Sequence, residues 1–187
     1  MKKIILFVLF TGSFYFSFSQ RFINGLGVCV FSTSGNGFGS FVTGGITYSP
    51  RVNFSESENG TFSVGLPLSI GIGYSENSGG VTSASAVFNL PLVVNYNYGC
   101  GSTRQNKDKL GFFAGGGFGY HAAAFVNNDD YGTNVTSDIK AFGPVINTGI
   151  RMALGERGHN LEFKISYLKG LDVTSANIFG AALLFNF

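Results

Sequence analysis

The 187-residue sequence is poor in charge, with 12 lysines and arginines and 10 aspartates and glutamates, together 12% of the chain. Soluble globular domains usually carry about twice that fraction. The net charge of +2 corresponds to Lys2 and Lys3, so the rest of the sequence is formally neutral. A nucleic-acid partner would require a clustered basic surface, and the sequence offers none. We therefore expect no nucleic-acid binding.

Long apolar runs are also scarce. The clearest one, at residues 4–18, follows the two lysines and leads into a small-x-small triplet. This pattern predicts a cleaved signal peptide over residues 1–19 and a single domain over residues 20–187. A retained transmembrane helix is the alternative, but it needs roughly 20 apolar residues, and polar side chains interrupt this run. No later segment is long enough, so the remaining chain can occupy a membrane only as a barrel.

The sequence is rich in glycine and phenylalanine, with 28 and 21 residues, and its apolar and polar side chains alternate with a period of two. This period is typical of β-strands with one apolar face, and no helical pattern fits it. It predicts eight strands, separated by segments rich in charge and turn-forming residues. Their approximate bounds in the sequence are 22–34, 38–54, 60–75, 81–98, 110–126, 139–154, 160–170 and 176–187.

The alternation does not say which way the apolar face points. A lipocalin-like soluble barrel or a β-sandwich would expose its polar face to water and carry many lysines and glutamates there. Here the polar face is mostly small and uncharged, which suits a narrow lumen. On the apolar face, aromatic residues are predicted to form two bands around an aliphatic belt, as in lipid-facing walls. The sequence therefore predicts an all-β fold, an eight-stranded antiparallel up-and-down transmembrane β-barrel.

Two segments resemble the outer-membrane β-barrel domain family, the small OmpA/OmpX-like barrels of Gram-negative bacteria. One is the glycine-rich strand LGFFAGGGFGY at residues 110–120, and the other is the last strand, IFGAALLFNF, at residues 178–187. The resemblance implies that the chain lies in the outer membrane, in contact with outer-membrane lipid. It also implies that Phe187, with Phe185, is the assembly signal that the barrel-assembly machinery reads. It specifies a fold and a location rather than an activity.

Four charged residues are predicted on the inward faces near the periplasmic end of the barrel: Arg51, Arg151, Glu162 and Lys164. Strands six and seven are neighbours, so Arg151 can reach Glu162. Buried charges must be paired, and eight strands enclose a space that side chains just fill. We therefore predict a lumen charge network that acts as a plug. A gate whose ion pair changes partners to admit small solutes is the alternative.

Residues with catalytic or redox chemistry are few. The sequence has two histidines. His121 is predicted to point inward from strand five, and His159 is predicted to lie in a turn. A hydrolase or acyltransferase needs a base close to a nucleophile, and the sequence does not single out such a pair. Residues 115–119 lie within a strand rather than before a helix, so they do not form a phosphate loop. We predict no enzyme, no catalytic residue, no metal and no cofactor, and free thiols at Cys29 and Cys100.

These observations predict a monomeric outer-membrane barrel with a plugged polar lumen and a structural, docking or adhesion role. A narrow solute channel and a subunit of a larger outer-membrane complex are the first alternatives. An outer-membrane lipid-modifying enzyme is the third.

Overall fold

The computed structural model describes residues 21–36, 38–76, 82–103, 105–128, 134–155, 158–172 and 175–187. The predicted signal peptide at residues 1–19 lies outside these ranges. The strands within them are β1 (Arg21–Ile23), β2 (Gly25–Gly35), β3 (Phe38–Tyr48), β4 (Arg51–Phe54), β5 (Gly60–Gly65), β6 (Leu68–Glu76), β7 (Thr82–Gly99), β8 (Leu110–Asn128), β9 (Asn134–Leu154), β10 (His159–Lys169) and β11 (Asn177–Asn186). Nowhere in the described ranges is there a helix of the length and apolarity that crossing a membrane requires.

The segments combine into the eight predicted strands because β1 continues into β2, β3 into β4, and β5 into β6. Consecutive strands pair antiparallel, and β11 pairs with β2 to close the ring. This pairing runs from Asn177 opposite Ser34 to Asn186 opposite Gly25. The prediction of an all-β, eight-stranded antiparallel barrel is confirmed. We call the end that carries Arg21 and Phe187 the proximal end, and the opposite end the distal end.

The four prolines lie where the hydrogen-bond ladder between strands is interrupted. Pro50 separates β3 from β4, and Pro67 separates β5 from β6. Pro91 is inside β7 but faces the gap between β5 and β6. Pro144 is inside β9, one residue beyond the last pair of β9 with β10. Because proline has no amide hydrogen, these positions let the barrel close without losing a ladder bond.

The β8–β9 hairpin is longer than the sequence predicted. Its ladder runs past Tyr120, opposite Phe142, as far as Asn128, opposite Asn134. The predicted loop at residues 127–138 is therefore partly strand, and β9 begins at Asn134 rather than at 139. A strand of about 9–11 residues is enough to cross a bilayer, so the distal part of this hairpin extends beyond the membrane.

The outer wall of the barrel is apolar, and aromatic residues concentrate towards its two ends. Large side chains such as Ile72, which is 76% exposed, face outward along the strands. Most described aromatic residues of the predicted bands are exposed and face outward: Phe22, Phe62, Tyr96, Tyr98, Phe112, Phe163, Phe185 and Phe187 for the proximal band, and Tyr120, Phe142 and Phe179 for the distal band. Phe54 of the proximal band and Tyr167 of the distal band are half-buried. The side chains of Phe38 and Tyr74 lie outside the described part. Such a wall is stable in lipid and not in water.

Because the apolar wall faces lipid, a charge placed at its centre should destabilise the barrel. Leu92 is 54% exposed and lies in the aliphatic belt, whereas Leu171 is 68% exposed in the distal turn between β10 and β11. Leu92→Arg should lower the free energy of unfolding in lipid vesicles by about 2–4 kcal/mol. Leu171→Arg should lower it by less than about 1 kcal/mol. Urea titration, read from the gel mobility of folded and unfolded protein, measures both. Equal effects would contradict a lipid-facing wall.

Candidate functional site: the barrel interior

Glu162 is the centre of a buried ionic cluster in the proximal half of the lumen. Its Oε2 accepts hydrogen bonds from Arg51 Nη1 at 2.8 Å, Arg151 Nε at 2.7 Å and Asn186 Nδ2 at 3.0 Å. Arg51, Arg151 and Glu162 are each at most 5% exposed. Arg151 lies opposite Glu162 in the β9–β10 register, and Arg51 comes from β4, across the lumen. One carboxylate oxygen therefore joins three strands and two cations.

Arg151 is held by further contacts that fix the direction of its guanidinium. Its Nη1 donates to Asn97 Oδ1 at 2.8 Å, and its Cζ lies 4.3 Å from the centre of the Phe113 ring. Asn97 Nδ2 in turn donates to Ser63 Oγ at 2.9 Å and to the carbonyl of Thr61 at 3.1 Å. These side chains occupy inward positions of consecutive neighbouring strands, from β5 through β7, β8 and β9 to β10, which is why they meet. Arg151 and Glu162 are fixed in position because each of them has several partners.

The turn between β7 and β8, residues 100–109, folds over the proximal opening of the barrel. Asn53 Nδ2 donates to the carbonyl of Ser102 at 2.7 Å, and Arg21 Nη1 donates to the carbonyl of Thr103 at 3.3 Å. Ser102 and Thr103 are 0% and 5% exposed. The sequence predicts only a turn here. Its first four residues, 100–103, are uncharged and are followed by charged residues, which is the signal that could have shown which part inserts.

Gly101 brings this turn against the ionic cluster. Its φ of +72° favours glycine, and a Cβ there would lie 2.9 Å from Asn160 Nδ2 and 3.3 Å from Arg151 Cδ. Asn160 Oδ1 accepts from Asn186 Nδ2 at 2.8 Å, and Asn186 also contacts Glu162. The turn and the charge network therefore lie together at the proximal opening of the barrel.

The distal half of the lumen is apolar, which differs from the uniformly polar interior that the sequence predicted. Its inward positions carry apolar side chains, most of them large or branched, which fill the space by packing: Phe31, Val87, Ala123, Ile139, Ala141, Val145, Leu168 and Ile178. His121 is buried at the edge of this cluster. Its Nε2 is 3.2 Å from Thr33 Oγ1, its Nδ1 is 3.3 Å from Asn89 Oδ1, and its ring meets Phe31 edge-on at 5.8 Å.

Lys164 lies apart from the cluster that the sequence grouped it with. It is 9% exposed, on the same face of β10 as Glu162. Among the described residues, both salt bridges go to Glu162, from Arg51 and Arg151. Lys164 instead faces the middle of the lumen, between the ionic cluster and the apolar cluster.

Neither cysteine forms a disulfide, and both thiols are buried. Cys100 lies in the turn over the proximal opening, where burial raises the pKa of its thiol. Within the part of the chain that the structure describes, no three histidine, cysteine or acidic residues lie close enough to bind a metal.

Phe185 and Phe187 both point outward at the proximal rim, 42% and 53% exposed, with ring centres 6.1 Å apart. The backbone of Phe187 exchanges two hydrogen bonds with Asn24, of 2.8 and 3.0 Å. These contacts place Phe187 at the closing seam of the ring. The role of the two residues as an assembly signal stays a prediction.

No protein-family model matches this sequence, and no curated protein is similar to it. Among solved structures, the chain is similar to Ail, the attachment invasion locus protein of Yersinia pestis, in complex with the heparin analogue sucrose octasulfate. The TM-score is 0.57 at 9% identity, over 91% of this chain and 100% of Ail. Neisserial surface protein A has a TM-score of 0.54 at 13% identity, over 90% of this chain and 97% of its own. At these identities the likeness concerns architecture, and this chain has the fold of the small eight-stranded outer-membrane β-barrels.

Proposed function

We propose that this protein is an outer-membrane barrel with a closed lumen, which acts through its surfaces as a structural, docking or adhesion element. The observation that carries the proposal is the cluster around Glu162, where one carboxylate binds Arg51 and Arg151 at the same time. The turn at residues 100–109 covers the same end, and apolar side chains fill the distal half. A solute would have to displace all three layers.

A gate would require Glu162 to exchange one arginine for the other. Here it already holds both, so any movement away from one leaves that guanidinium buried without its anion. Removing one partner of a buried ion pair costs about 3–5 kcal/mol. This cost favours a plug over a gate.

An enzymatic role has little support from the interior. His121 is 0% exposed, and both of its ring nitrogens have polar neighbours in the lumen. It therefore cannot approach a lipid substrate at the wall. For the partners, we propose outer-membrane lipid around a monomeric barrel, the barrel-assembly machinery during insertion, and no nucleic acid. Among the described strands, β8 and β9 are the longest, with 19 and 21 residues, so we assign docking to the distal part of this hairpin.

Replacing Glu162 tests the network as a source of stability. Glu162→Gln leaves two buried guanidiniums without an anion and should lower the free energy of unfolding by about 3–5 kcal/mol. Arg51→Met should cost less, because Arg151 keeps its salt bridge and Arg51 Nε and Nη2 have no partner among the described residues. Glu58→Gln, in an exposed turn, is the control and should have almost no effect. Urea titration of the refolded barrel gives all three values. A Glu162→Gln barrel as stable as the wild type would refute the role of the network.

Planar-bilayer recording tests the closure itself. Wild-type barrel, shown to be folded by its heat-dependent gel mobility, should insert without producing steady conductance steps. Steady steps would contradict the closed lumen. If such steps disappeared in Arg51→Met or Glu162→Gln, the charged residues would belong to a conducting pathway, and the channel would replace the plug.

A further inference from the structure

The buried charges of the lumen do not balance. Arg51, Arg151 and Lys164 are three cations, and Glu162 is the single carboxylate among the buried residues that the structure describes. The described interior therefore has an excess of two positive charges. An isolated charge in a medium of low dielectric constant is strongly unfavourable, and proteins normally pair it. Glu162 makes salt bridges to the two arginines, and Lys164 has none among the described residues, so Lys164 is the cation whose charge is least compensated.

Lys164 lines a small cavity in the middle of the lumen. The cavity has a volume of about 20 Å³, and its polar lining comes from Lys164, Thr47, Ser69, Asn89, Asn147 and Ser166. One water molecule needs about 10–15 Å³ measured in this way. The space therefore suits a single water molecule or a monatomic ion. A polyatomic anion such as phosphate, with four oxygens around its centre, is too large for it.

The lining favours an anion over a cation. No carboxylate is among the described residues around the cavity, and the ammonium of Lys164 contributes a full positive charge. Ser69 Oγ donates to Thr47 Oγ1 at 2.9 Å, which leaves the hydroxyl hydrogen of Thr47 free to point into the cavity. Asn147 also lines it, and its Oδ1 has no hydrogen-bond partner among the described residues. Rotation of the Asn147 amide exchanges the positions of its oxygen and its NH₂ group, so the NH₂ group can serve as a further donor.

We propose that this cavity is a halide site, in which one chloride ion binds to the ammonium of Lys164 and to the neighbouring hydroxyl and amide donors. The ion lowers the positive excess of the interior from two to one. Only the folded barrel can hold the ion, because the donors come from β3, β9 and β10, which the unfolded chain does not bring together. Chloride is therefore a structural ligand of the closed lumen and stabilises it by mass action.

Bromide gives a direct test of the location. Barrel refolded and crystallised in sodium bromide should show an anomalous bromine peak in the cavity, within hydrogen-bonding distance of the Lys164 ammonium. Crystals of Lys164→Met should lack this peak while keeping the barrel. Wild-type crystals with only a water molecule in the cavity, or with bromide confined to the outer surface, would overturn the proposal.

Stability in solution tests the same site without crystals. At constant ionic strength, replacing isethionate, which is too large for the cavity, by chloride should stabilise the wild-type barrel. Above the dissociation constant, a tenfold rise in chloride should raise the ratio of folded to unfolded protein by up to about tenfold. Lys164→Met should lose this dependence.

Lys169→Met is the matched control, since Lys169 lies on the same strand but donates to Asn177 Oδ1 at 2.9 Å and to the Ser175 carbonyl at 3.3 Å. It should keep the chloride dependence of the wild type. An equal dependence in wild type and Lys164→Met would show general salt effects and refute the site. If Lys164→Met does not fold, the bromide peak of the wild type decides alone.

Discussion

The structure depends on one constraint, which is that every backbone amide and carbonyl in lipid must find a partner within the protein. Eight strands meet it by closing into a ring, and the closing seam is the pairing of β11 with β2. At the proximal end the seam continues through the two backbone hydrogen bonds between Asn24 and Phe187. The prolines obey the same constraint. Pro67 and Pro91 meet across one interruption of the ladder, so the missing donors fall together instead of breaking the ring at separate places.

Ring closure also decides what the interior must contain. Once the strands pair, alternate side chains point into a space that eight strands leave only just wide enough for them. Neighbouring strands also approach closely at Gly45 and Gly117, where a Cβ would come within 1.9 Å of a carbonyl oxygen of the adjacent strand. The interior space is filled in two ways. Apolar side chains pack in the distal half, and in the proximal half Glu162 gathers donors from three strands.

The period of two in the sequence was enough to predict the strands, their faces and the barrel, because each of these follows from local alternation. The proximity of Arg151 and Glu162 also followed, since their strands are neighbours. Three features depended on distances that no local pattern contains. Arg51 reaches Glu162 across the lumen, Ser102 enters the opening on a turn, and Lys164, two residues beyond Glu162 and so roughly 7 Å further along the strand, falls into a different layer. The apolar distal half was missed because Phe31 and Ile178 stand on an inward face whose other residues are mostly small and uncharged.

The ionic cluster is not needed merely to fill the lumen, because the distal half shows that apolar side chains can do so. Buried ion pairs often add no more stability than well-packed apolar residues would. What the cluster adds is a fixed relative position of the strands and the turn. Glu162 fixes β4 to β10 across the barrel, and Asn53 and Arg21 hold the turn above it. An apolar filling could shift without leaving any group unpaired, whereas each member of this cluster has a specific partner to lose. An opening at the proximal end would therefore have to break several of these contacts together.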